Sequence, residues 1–136
     1  LTAVVKATVH QKVGSAEWKV DPITVEVVKR RLVAIADHMD LNITRTAFSL
    51  LVSEYKDYAV GIVDAEGNLL CQSTAGMPLF VADVLGAAVR DGIRIYGKDR
   101  IAPGDIFISN DIGQHLNNVA MYIPAYDADA KQVVAF

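Results

Sequence analysis

Hydrophobic and polar positions change period several times along this chain. Between Asp21 and Asp40 the apolar residues Val28, Leu32, Ile35 and Met39 recur at spacings of four, three and four. That spacing puts them on one face of a helix. Asp21 suits the N-cap, and Pro22 suits the first helical position, where its missing N–H costs nothing. Lys29, Arg30, Arg31 and Asp37 fall mostly off the apolar face and read as a solvated surface. His38, late in this helix, suits the negative end of the macrodipole. The next stretch, LNITRTAFSLLVSEYKDY, fits either a second helix after a kink near Asn42 or an irregular link.

Shorter periods follow. Tyr58 to Val63 is β-prone, residues 64–68 are turn chemistry, and Leu69-Leu70-Cys71 returns, which predicts a hairpin with Gly67 at a positive φ. From Pro78 the pattern turns helical again, with Val81, Val84 or Leu85, Ala88 and Ile95 on one side and Gly97 as the cap. Gly86 and Gly92 each weaken that helix by ~1 kcal/mol relative to Ala, or else permit close packing on a sheet. Ile106-Phe107-Ile108, the run from Val119 to Tyr126, and QVVAF near the end read as three strands, with Pro124 marking a bulge or an edge. The first twenty residues alternate weakly and read as an extended arm broken at Gly14-Ser15.

The order is arm, helix, hairpin, helix, three strands. It predicts an α+β fold with a mostly antiparallel sheet and two main helices, residues 1–20 being an arm and 21–136 a domain. The chain starts at Leu1 and stops within the apolar run VVAF, so the expectation is part of a larger chain.

Composition narrows the partners. The 136 residues are 52% hydrophobic and 21% charged, with a net charge of −3 and acids and bases interspersed. No basic stripe supports nucleic-acid binding, and no apolar run reaches the ~20 residues of a membrane span. A single cysteine, Cys71, excludes an internal disulfide and a multi-thiolate zinc site. It fits a reducing, cytoplasmic compartment. Cys71 has no base near it in sequence and reads as a small buried apolar residue. Neither a phosphate-binding P-loop nor a dinucleotide glycine fingerprint is present.

The densest polar chemistry is ISNDIGQHLNN, residues 108–118, where Asn110, Asp111, Gln114, His115, Asn117 and Asn118 crowd between two apolar runs. Asp111, His115 and Asn118 can meet around a divalent metal or a substrate carbonyl. Equally, Asn and Asp side chains here can satisfy their own backbone in a turn. A second polar set, Arg45, Thr46, Ser49, Glu54, Lys56 and Asp57, fits either an anion-orienting carboxylate–arginine pair or a salt-bridged link.

Five stretches in this order, DPITVEVVKRRLVAIADHM, RTAFS, YAVGIVDAEGNLL, PGDIFISND and HLNN, resemble the N-terminal region of the hydantoinase B/oxoprolinase family from Asp21 onward. The resemblance implies ATP-driven chemistry on carbonyl or lactam compounds, as in 5-oxoprolinases, N-methylhydantoinases and the acetone and acetophenone carboxylases. It also implies a hydantoinase A-like partner subunit that holds the ATP, and hence a hetero-oligomer. The family pattern carries Asn110, Asp111, His115 and Leu116 onto this chain. It has Pro and Asp where this chain has Asn117 and Asn118, a longer interval before the histidine, and a histidine where Phe80 stands.

The expectation is therefore a B-type subunit of a ketone carboxylase with bicarbonate as co-substrate. The alternatives are an ATP-dependent cyclic amidohydrolase and a non-catalytic subunit with a degenerate site. His115 and Asp111 are the expected catalytic groups. Asn110, Asn118, Arg45 and Ser49 are expected to bind substrate. His115 is the expected ligand of any Mg, Mn or Zn ion, which the neutral Asn118 would hold less well than the family's aspartate.

Overall fold

The computed structural model describes residues 20–75, 84–110 and 119–136. The sequence-derived arm, the start of the second helix at Pro78 and the stretch from Asp111 to Asn118 lie outside the described residues.

Helix α1 runs Pro22–Thr46. Its start follows the sequence: the Asp21 carboxylate accepts hydrogen bonds from the Thr24 N–H and hydroxyl, both at 3.1 Å. The Thr24 backbone bond, then its hydroxyl, hold the Asp21 carboxyl below its usual range. Of the two alternatives beyond Asp40, neither a separate second helix nor an irregular link starts at Asn42: α1 continues unbroken through it to Thr46. Asp40 and Asn42 disfavour helix when their side chains compete for backbone groups. Here the Asp40 side chain is engaged by Tyr58, and the Asn42 carbonyl accepts from the Thr46 hydroxyl at 2.7 Å. His38 consequently sits mid-helix, and the terminal cation is Arg45. A second short helix, α2, spans Leu50–Ser53.

The hairpin forms where expected, with β1 Gly61–Val63 and β2 Leu69–Gln72 pairing antiparallel. Its loop is held by Asp64, which accepts from the Glu66 and Asn68 N–H groups at 3.0 and 2.7 Å and from the Asn68 amide at 2.8 Å. Gly67 takes a φ of 82°, the positive value such a loop requires.

Helix α3, Val84–Tyr96, buries Gly86, Ala88 and Val89. The Gly97 N–H caps it on the Ile93 carbonyl at 2.9 Å. A 3-10 turn, Lys98–Arg100, leads into β3, Phe107–Ser109. The expected run from Val119 to Tyr126 is two strands, β4 Ala120–Tyr122 and β5 Ala125–Tyr126. Pro124 has no N–H to donate, so the ladder cannot run through it and the chain changes partner there. β5 pairs with β6, Val133–Ala135.

The described strands thus form three antiparallel two-stranded ladders rather than one continuous sheet. Val63 and Phe136 exchange two backbone hydrogen bonds of 2.9 Å, which join the first hairpin to the end of β6. The fold class is the α+β arrangement that the sequence predicts.

Two packing decisions place everything else. First, α1 rests on the hairpin through Ala36 and Asp40, both buried. The predicted apolar stripe is rotated outward: Val28, Ile35 and Met39 are exposed and only Leu32 is half-buried. Polar contacts fix that rotation. Asp37 accepts from the Thr74 N–H and hydroxyl at 2.6 and 2.9 Å, and Asp40 meets Tyr58. Secondly, α3 approaches its neighbours through glycines. A Cβ on Gly86 would strike the Gly67 carbonyl, and one on Gly92 would overlap the Tyr122 hydroxyl. Arg90 closes the first contact by donating to the Gly67 carbonyl at 2.6 Å.

Candidate functional site

The β3–β4 ladder flanks, in sequence, the polar stretch that the sequence singles out. Its register pairs Phe107 with Tyr122, Ile108 with Met121 and Ser109 with Ala120. Asn110 follows β3 directly and Val119 precedes β4, so the ladder brackets residues 111–118 at its open end. Asn110 is exposed there. Asp111, His115 and Asn118 lie outside the described residues.

The ladder is held from behind by aromatic rings. Phe107 stacks on Tyr122 with centroids 5.1 Å apart, Tyr96 meets Phe107 edge-on at 5.3 Å, and Phe136 meets Tyr122 at 6.0 Å. The Arg100 guanidinium lies 4.5 Å over the Tyr96 ring. Such pairs favour these offset and edge geometries because of the ring quadrupole. Burial, and then the charge of Asp91, push the Tyr122 phenol upward in pKa.

Arg45 and Ser49 occupy a different corner, where α1 ends and α2 begins. Arg45 is exposed in the last turn of α1, where a cation offsets the helix dipole. Ser49 stands at the N-cap of α2, yet its hydroxyl makes no capping bond. Among the described residues neither shares a hydrogen bond or ion pair with Asn110. Of the two alternatives for Arg45, Glu54, Lys56 and Asp57, neither an anion-orienting pair nor a salt-bridged link is seen: the ion pairs among the described residues are Arg30–Glu26, Arg94–Asp91 and Lys131–Asp129.

One polar centre was not read from the sequence. Asp40 is a carboxylate only 4% exposed, and the Tyr58 hydroxyl donates to it. The same phenol oxygen lies 2.6 Å from the Thr44 hydroxyl and 3.1 Å from the Asp40 carbonyl. Burial, then the Asp40 hydrogen bond, raise the Tyr58 pKa against a smaller opposing effect of Thr44. The available signal was the spacing of Asp40 and Thr44, one turn apart on the helix. Ser73 is 1% exposed, and its hydroxyl has no hydrogen-bond partner among the described residues.

Cys71 is partly exposed rather than fully buried. Burial raises its thiol pKa, Asp37 adds to this, and the Ile62 N–H only partly opposes it, so the thiol is a poor nucleophile. On the other side of α1, Arg31, Ala34, Ile35, His38, Met39 and Asn42 line a shallow open groove. Among the described residues no three His, Cys, Asp or Glu side chains form a group fit for a metal ion, and no helix is long and apolar enough to cross a membrane.

The sequence profile of the Hydantoinase B/oxoprolinase family matches residues 21–136. The chain is 32% identical over 117 residues to the B-type subunit of a provisionally named D-/L-hydantoinase from Pseudomonas sp. strain NS671, covering 82% of this chain and 19% of that protein. It is 24% identical over 120 residues to the 5-oxoprolinase of Saccharomyces cerevisiae, covering 86% of this chain and 9% of that one. It is 28% identical over 110 residues to the beta subunit of a caprolactamase from Pseudomonas jessenii, covering 79% and 18%. Among the first relatives matched, the chain spans between 8% and 20% of their length. No solved structure matches it. The profile match begins at Asp21, where the five ordered stretches begin, and runs to the last residue: the chain belongs to the hydantoinase B/oxoprolinase family.

Proposed function

We propose that this chain is part of a B-type subunit that opens cyclic amides, with ATP bound by a hydantoinase A-like partner. The observation that carries the reading is shared chemistry among the relatives. A hydantoinase subunit, a 5-oxoprolinase and a caprolactamase subunit all bear the names of enzymes for ring amides. Two of the three are named as subunits, which favours a hetero-oligomer.

ATP on the partner is the arrangement that the subunit names of the relatives support. Once the ring carbonyl is activated, hydrolysis needs a water held and deprotonated at that carbon. His115 is the proposed base and Asp111 its orienting carboxylate. Asn110 and Asn118 are proposed to donate to the carbonyl oxygen. Arg45 and Ser49 are proposed to bind a substrate anion. His115 with Asp111 would also be the pair to hold a divalent metal.

A second reading, a ketone carboxylase using bicarbonate, is favoured by one feature. Asn117-Asn118 stands where the family has Pro-Asp, and a neutral amide repels an anionic carbonate less than a carboxylate does.

The experiment is ATP hydrolysis by the complex with its partner subunit, supplied with 5-oxoproline, a hydantoin or caprolactam. Acetone and acetophenone, each with and without bicarbonate, form the second arm. Metal content is measured beside it, in wild type and His115→Ala. Lactam-dependent turnover that is indifferent to bicarbonate and lost in the variant supports the amidohydrolase. Turnover requiring ketone and bicarbonate moves the assignment to the carboxylase. Unchanged turnover in an intact His115→Ala complex removes His115 from the chemistry and moves the non-catalytic reading of this region to the front.

A further inference from the structure

The β3–β4 ladder carries large apolar side chains on both faces. Its inner face carries Phe107, Ala120 and Tyr122, with Ser109 opposite Ala120, toward α3. Its outer face carries the paired Ile108 and Met121; the same alternation extended past the strand ends adds Ile106, Val119 and Ile123, with the polar Asn110 at the edge. All five apolar residues are exposed: Ile108 is 70% and Met121 62% accessible.

An antiparallel ladder with one face in water alternates apolar with polar residues, whereas one covered on both faces reads as a continuous apolar run. IFI and VAMYI are the second kind. A contiguous apolar patch of this sort marks an interface. The interior tells the same story: among the described residues no Leu, Ile or Met side chain is fully buried.

We infer that the outer face of the β3–β4 ladder is an internal layer boundary of the B-type subunit. Its occupant is an apolar layer of that same subunit, contributed from outside residues 21–136. Two observations support this occupant, and the labelling test below separates it from a second copy and from a separate partner. The relatives named as subunits carry this region in less than a fifth of their own length, so one polypeptide holds ample chain to supply the layer. The face also has no charged side chain among its five residues, unlike the polar rim of a surface that must also be stable in water.

The test uses the complete subunit, with its native cysteines replaced by serine and one cysteine introduced at a time. Ile108→Cys and Met121→Cys report the face, and Ala128→Cys, in the exposed turn after β5, is the control. Maleimide labelling of the native monomeric subunit is expected to be at least about tenfold slower at positions 108 and 121 than at 128, with the three rates converging in urea. Equal rates in the native monomer would overturn the inference. Protection that disappears when the A-type partner is removed, or when an oligomer is diluted to monomer, would also overturn it. Labelling does not depend on turnover, so loss of the cyclic-amide reading would leave this result standing.

Discussion

The Asp40 carboxylate has one side-chain donor among the described residues, the Tyr58 hydroxyl, and almost no access to water. Removing the donor leaves a buried acceptor unsatisfied, which costs about 2 kcal/mol or more. Tyr58→Phe is expected to lower the urea midpoint accordingly. Adding Asp40→Ala to it should cost less than the two single losses summed, because the pair acts as one unit. Strict additivity would show that the contact is incidental. Asp64 gives a pH prediction. Burial raises its carboxyl pKa, but the Asn68 side chain and the N–H groups of Asn68, Glu66 and Gly67 outweigh that and hold it below the usual value. A folded pKa below the unfolded value of about 3.9 means stability that is full above that pH and lost as pH falls through the folded value. Asp64→Asn should therefore flatten the acid limb of the stability profile below about pH 4. An unchanged acid limb would remove Asp64 from the account.

Helix α3 shows why element identity and element packing are separate questions. Its helical period was visible in the sequence, and so were Gly86 and Gly92 as either weak points or contact points. The structure makes them contact points, since a side chain at either would collide with Gly67 or Tyr122. Gly86→Ala and Gly92→Ala gain ~1 kcal/mol in helix propensity but are expected to lose about 1–3 kcal/mol through overpacking. Both variants should thus unfold at lower urea, and a rise in midpoint would mean that the helix stands clear of its neighbours. Helix α1 teaches the opposite lesson. Its cap, proline and periodicity were legible, but its rotation was not. The stripe of Val28, Ile35 and Met39 is turned away from the hairpin because Asp37 and Asp40 reach their partners only in the observed rotation. Periodicity names a face, while partners distant in sequence choose which face turns inward.

Across the whole molecule the balance of surface is unusual for a chain that is 52% hydrophobic. At the α1–α2 corner, beside Arg45 and Ser49, Phe48 is fully exposed, at 104%, and Leu50, Leu51 and Tyr55 are exposed with it. Phe48→Ser in this chain is expected to change stability by less than about 0.5 kcal/mol, as surface changes do. A larger drop in the urea melt would show that the ring is packed. The same surface explains which parts of the site were legible. Asp111 and His115 stand out in sequence because six polar side chains crowd between two strands. The Asp40–Tyr58 centre does not, because its members lie eighteen residues apart and meet only when α1 settles on the hairpin.

The sequence by itself determined the elements that depend on neighbours along the chain. These are the Asp21-Pro22 start of α1, the Asp64–Asn68 loop with Gly67 at its positive φ, the cap at Gly97, and the break at Pro124. It also determined the family, because ordered short stretches at fixed spacing are a property of sequence. Each is settled within a few bonds by sterics and local hydrogen bonding. Tertiary structure alone decided that α1 runs unbroken to Thr46, that its buried line is Ala36 and Asp40, and that the strands pair as three separate ladders. It also decided that the β3–β4 ladder leaves an apolar face outward. Those outcomes turn on which distant groups satisfy one another, and the hydrogen bond from Tyr58 to Asp40 does not exist until both elements have met.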